Sequence, residues 1–82
     1  MYIKFALTTE RSVSLIEKEN KLVFIVDPRA TKTDVAKEVA EVYKEKVASV
    51  NTLNDLKGRK KAIVKFARKG AASDVAAKLK LI

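Results

Sequence analysis

Eighty-two residues with no cysteine, no histidine and a net charge of +8 fit one small domain held by packing rather than by disulfides or a thiolate metal site. The missing histidine and cysteine also remove the commonest acid/base and nucleophilic side chains, and no apolar run approaches the roughly 18 residues of a membrane span or forms a signal-peptide core. The expectation is one domain over residues 1–82, cytoplasmic, without membrane insertion, cofactor or enzymatic activity.

In chain order, Met1 to Thr8 alternates Tyr2, Lys4 and Ala6 with Ile3, Phe5 and Leu7, and fits either a short extended segment or an arm laid across the domain. Thr8 or Thr9 can cap a first helix whose opening turn carries Glu10, an acid that meets the positive end of the helix dipole. That helix runs to about Glu19 with Val13, Leu15 and Ile16 inward, and Asn20 stops it because asparagine tolerates the left-handed conformation. Leu22 to Val26 is an unbroken apolar run, a strand whose two faces both need covering, one by helix and the other by helix or partner. Asp27-Pro28 ends it.

Thr31 and Asp34 have capping-box spacing, and the helix they open is expected over about Lys32 to Lys46. Val35, Val39, Val42 and Tyr43 form its apolar stripe, while Lys37, Glu38, Glu41, Lys44 and Glu45 form a solvated outer face rather than a catalytic carboxylate pair. Two period-two strands follow, Val47 to Leu53 and Lys61 to Ala67, joined by a turn in which Gly58 supplies a positive φ and Asn54 and Asp55 can bond their own backbone. After Gly70 comes a short helix through Ala71, Ala72, Val75, Ala76 and Leu79, capped by Ser73, and Leu81-Ile82 is an apolar tail that folds back on the sheet.

The fold class this predicts is α+β, a small antiparallel sheet of three main strands in α-β-α-β-β-α order. With Lys61 to Ala67 between the other two strands, every neighbouring pair is antiparallel, a split βαβ unit.

The charge is unevenly placed. Residues 1–41 carry seven Lys/Arg and seven acids, whereas residues 42–82 carry eleven against three, which is the whole excess. Lys57, Arg59, Lys60, Lys61, Lys65, Arg68 and Lys69 follow one another without an acid, straddling the turn. Such a basic hairpin is the expected footprint of a nucleic-acid site. Phe66 shares a face with Ala62 and Val64 and reads as core, so no aromatic stacking platform is expected. Recognition would then go through RNA backbone and shape, with Lys and Arg supplying charge and Asn51 and Thr52 hydrogen bonds.

Val50-Asn51-Thr52-Leu53, then Lys57-Gly58 and Lys60-Lys61-Ala62-Ile63-Val64, after a Thr-Lys-x-Asp-Val-Ala helix start and an opening Ile3-Lys4 with Thr9-Glu10-Arg11, together resemble the large-subunit ribosomal protein L23 family over about Ile3 to Ile82. The resemblance implies a structural constituent of the large ribosomal subunit that binds rRNA near the polypeptide exit tunnel, touches neighbouring ribosomal proteins and offers a docking surface to targeting or chaperone factors. By position it puts Asn51, Thr52, Lys57, Arg59, Lys60 and Lys61 on rRNA, with Lys65 in the same basic run, further contacts from the Lys4 to Thr9 arm including Thr8, and Glu10 at the factor-docking site. The turn from Asn54 to Lys60 is too short for the long tunnel hairpin of bacterial members, so the resemblance is to the archaeal type. Phe5-Ala6-Leu7 also replaces the histidine-proline often found before the first helix.

Two other readings compete. A free-standing architectural DNA-binding protein could use the same hairpin, although a neutral first half suits it poorly. A small phosphate-ester or acyl-phosphate hydrolase on a split βαβ scaffold would need a glycine-rich loop where Asp27-Pro28-Arg29-Ala30-Thr31 stands.

Overall fold

The computed structural model describes residues 2–7, 9–54 and 57–79. The elements are β1 (Ile3–Ala6), α1 (Glu10–Glu19), β2 (Lys21–Val26), α2 (Lys32–Tyr43), β3 (Val47–Asn54), β4 (Lys60–Phe66) and α3 (Ala71–Lys78). The sheet runs in the order β1-β2-β4-β3 with every neighbouring pair antiparallel. The last strand therefore does lie between the other two expected strands, and the α+β class holds.

The sheet has four strands rather than three, because Ile3–Ala6 joins the outer side of β2. Four residues are too few to carry a periodic signal, and their pairing is irregular. Ile3 lies opposite Val26, Phe5 opposite Ile25 and Ala6 opposite Phe24, with a register slip between Ile3 and Phe5. A bulge at Lys4 thus breaks the expected sharing of a face by Ile3 and Phe5. Ile3 and Ala6 pack on the core, whereas Phe5 pairs with Ile25 on the opposite side of the sheet. Glu38 holds the start of the strand, its carboxylate accepting the Tyr2 and Ile3 N–H groups at 2.6 and 2.9 Å.

Helix boundaries follow local chemistry. The Thr9 hydroxyl oxygen accepts the Ser12 N–H at 3.2 Å at the start of α1, and Asn20 ends it in the left-handed conformation, φ +57°. At α2 the capping box is complete: Asp34 N–H donates to Thr31 Oγ1 at 3.2 Å, and Thr31 N–H to the Asp34 carboxylate at 3.1 Å. This helix stops at Tyr43 instead of Lys46, since Lys44 at φ +55° turns the chain toward β3. α3 starts from Gly70 at φ +82°, with no side-chain cap, and Ser73 lies inside the helix rather than before it. The tail Leu81-Ile82 lies outside the described residues.

Three helices supply the core face. Ile16 of α1, Val35 and Val39 of α2, and Ala72, Val75 and Ala76 of α3 close over Leu22, Phe24, Val26, Ala62, Val64 and Phe66. Phe24 is fully buried and stacks on Tyr43, ring centroids 6.0 Å apart. Truncating it to alanine would cost about 3–5 kcal/mol. Val42, expected inward, is 50% exposed, because the helix's apolar stripe narrows where it leaves the sheet. Val23 and Ile25, on the other side of β2, are 6% and 2% exposed, so the chain itself covers the β2 part of the face expected to need a helix or a partner, while the β3 and β4 part, with Asn51, Leu53 and Lys65 exposed, stays open. β3 forms the far edge of the sheet, eight residues without a charged side chain.

Candidate nucleic-acid interface

The alternation along β4 sets the site. Ala62, Val64 and Phe66 point into the core, so Lys61, Ile63 and Lys65 point to the side away from it. Strand register then lays three rows across that open face. Lys21, Lys65 and Ser49 form the first, Val23, Ile63 and Asn51 the second, and Phe5, Ile25, Lys61 and Leu53 the third. No acid occurs in any row. Like charges directly opposite each other on a sheet are unfavourable, yet Lys21 and Lys65 stand so paired. Glu19 compensates Lys21 at 3.2 Å, while Lys65 has no ion-pair partner among the described residues. A polyanion laid on this face relieves that repulsion.

The hairpin carries the next layer of charge. Gly58 sits in its turn at φ +78°, the role expected of it, while Asp55 lies outside the described residues. Asn51 and Lys65 are exposed on the open face, Lys61 is half-buried there, and Lys57 is exposed in the turn. Arg59 is half-buried at the turn's end.

Other expected contact residues are turned elsewhere. Thr52 lies opposite Ala62 on the core side and is half-buried. Lys60 Nζ donates to the Ala30 carbonyl at 2.6 Å, which ties the hairpin to the loop before α2. The Thr9 hydroxyl caps α1, and also donates to Ser12 Oγ at 3.2 Å. Lys4 is exposed at the β1 bulge, Glu10 is exposed in the first turn of α1, and Thr8 lies outside the described residues.

The acid-free run is also less positive in space than in sequence. The Arg68 guanidinium reaches Glu45 at 2.6 Å and Asp74 at 2.7 Å. These bonds raise its pKa, from Glu45 first, and its hydrogen bond holds the Glu45 carboxyl below its ordinary value. Glu45 therefore belongs to a specific ion pair rather than to a solvated face, as Glu38 belongs to the β1 anchor. At the loop after β2, hydrogen bonds from the Arg29 side chain and backbone bring Asp27 down to about 2.

Three contributors escape a reading of the hairpin alone. Arg11 of α1, in the Thr9-Glu10-Arg11 opening, lines a recess of about 150 Å³ with Leu7, Leu15, Val23, Lys61 and Ile63. Lys21 joins through its pairing with Lys65, and Phe5 through the bulge. The first was legible as part of a motif, but the other two depend on register. Among the described residues no cluster of His, Cys, Asp or Glu could hold a metal, and no helix is long and apolar enough to cross a membrane.

Comparison with known proteins gives a consistent result. A family model described as "Ribosomal protein L23" matches residues 2–75. The chain is 47% identical over 77 residues to "Large ribosomal subunit protein uL23" of Methanococcus aeolicus, covering 94% of this chain and 90% of that protein. It is also 47% identical over 77 residues to the protein of the same name from Pyrobaculum aerophilum, covering 94% of this chain and 95% of that one.

Proposed function

The chain belongs to the ribosomal protein L23 family, and from that premise we propose that it is a structural constituent of the large ribosomal subunit that binds rRNA through the open sheet face and the β3–β4 hairpin. It acts as one domain on the cytoplasmic ribosome, near the exit of the polypeptide tunnel. Neighbouring large-subunit proteins are further partners, and Glu10, exposed at the start of α1, is the proposed contact for targeting or chaperone factors.

The observation that carries the RNA assignment is an open face whose strand residues include no acid, with Lys21 and Lys65 held side by side, Glu19 pairing only Lys21, and Lys61 in the next row but one. Lysines so placed neutralise phosphates without reading sequence, while Asn51 on the same face supplies a donor and an acceptor. Lys57 and Arg59 extend the contact along the turn, Lys4 extends it toward β1, and Thr8 is a further proposed contact. Lys60 and Thr9 contribute chiefly by holding the hairpin and α1 in place, and Thr52 faces the core side. The charge serves binding and the fold presents it, so no reaction chemistry is required of any residue.

The test is binding of the purified protein to large-subunit rRNA domains and to random duplex DNA at about 50 and about 300 mM salt, beside a variant with Lys57, Lys61 and Lys65 changed to alanine. Retention of one rRNA domain at the higher salt, abolished in the variant, is the expected result. Equal binding and equal release of DNA and every RNA would sink the ribosomal reading and leave a non-specific polyanion patch.

A further inference from the structure

The bulge at Lys4 does something the alternation of β1 would not. It turns Phe5 out of the core side, where Ile3 and Ala6 pack, and sets it opposite Ile25 on the open face. There Phe5 is 49% exposed while Ile25 beneath the same row is 2% exposed. A β-bulge that re-aims one side chain is a common device beside functional sites. Here the re-aimed side chain is an aromatic ring on a sheet surface whose strand residues include no acid.

We propose that Phe5 is a base-stacking contact: an unpaired nucleobase of bound RNA packs on its exposed ring. Lys61, two strands away in the same row at roughly 10 Å for ~4.8 Å per strand, and Lys4 in the bulge draw the flanking phosphates. This deepens the rRNA-binding reading and rests on it. It also revises the expectation that the molecule lacks a stacking platform, since one ring suffices for one base. Charge complementarity selects the occupant. An apolar protein side chain would fit the ring but would leave Lys61 and Lys65 without a counter-charge, whereas a single-stranded nucleotide satisfies ring and cations together.

The chain has no tryptophan, so Phe5→Trp introduces a single tryptophan at the proposed contact, excited selectively beyond the absorption of Tyr2 and Tyr43. Poly(U) is expected to quench its emission on binding, and a fully paired RNA hairpin is expected to bind by charge without quenching it. In parallel, Phe5→Leu, which keeps an apolar cover over Ile25, should weaken poly(U) binding roughly tenfold. Its melting temperature and its affinity for the paired hairpin should match those of the parent. Binding of poly(U) with unchanged emission, or by Phe5→Leu as tightly as by the parent, would overturn the stacking contact and leave the RNA-binding reading intact. Failure of the parent to bind either RNA would overturn both.

Discussion

Asn20 and Ala72 lie 52 positions apart and are joined by a hydrogen bond of 2.9 Å, from the Ala72 N–H to Asn20 Oδ1. The other end of the same side chain donates to the carbonyls of Phe66 at 3.1 Å and Arg68 at 2.7 Å, and the Asn20 backbone carbonyl accepts the Phe66 N–H at 3.2 Å. One asparagine therefore ends α1 and fastens it to the end of β4 and the beginning of α3. Its left-handed backbone aims the amide at both.

Replacing Asn20 separates these roles. Asn20→Gly keeps the backbone conformation and removes three side-chain hydrogen bonds, which should lower the unfolding free energy by about 2 kcal/mol. Asn20→Ala adds a left-handed penalty and should lower it by about 3 kcal/mol. Urea titration reads both. Glycine at parental stability would mean that the three bonds contribute nothing.

RNA binding should distinguish lysines that sequence alone cannot. Lys61→Ala and Lys65→Ala are each expected to reduce the slope of log K against log salt by about 0.7 to 0.9, the change for one fewer neutralised phosphate. Lys60→Ala should change the slope less and instead lower stability by about 1 kcal/mol, because its ammonium is bonded to the Ala30 carbonyl. Three equal slope changes would argue that the hairpin's cations act as an unordered cloud.

Stability should be flat through neutral pH, since the chain has no histidine to titrate there. It should fall in acid. Asp27 moves from 3.8 to about 2 on folding, so between those values the unfolded chain binds the extra proton and stability decreases as pH falls. The contribution is complete above the unfolded value and gone below the folded one. Glu45, also lowered, adds a decrease of the same sign beginning near its ordinary 4.5. Melting temperatures from about pH 6 to about pH 2 should show Asp27→Asn with a shallower acid limb. A limb as steep as the parent's would remove Asp27 from the account.

Features written in neighbouring residues were legible. Thr31 with Asp34, Thr9, Asn20 as a helix stop, the buried run in β2 and the pairing order of the last two strands all follow from local chemistry. So does Phe66 as core, 2% exposed. What escaped was set by register or by distant partners. One extra residue at Lys4 reverses the facing of Phe5, and another near Ala48, between Val47 and Ser49, brings Val47 to the core side with Val50. Parity of this kind leaves no mark in composition. The same holds for charge: Arg68 counts as one of seven cations until Glu45, 23 positions earlier, is seen to hold it.

The uncharged edge of β3 has a cost outside the ribosome. Eight residues from Val47 to Asn54 present unpaired backbone groups with neither lysine nor proline to discourage a visitor, and the bulge near Ala48 blunts only the beginning of the strand. A chain made in excess of its RNA thus carries a template for edge-to-edge pairing with its own copies. The net charge of +8 opposes that pairing. Polyanions too small to enclose the strand, or concentrated salt, would remove the repulsion while leaving the edge open, and those are the conditions under which the free protein should self-associate.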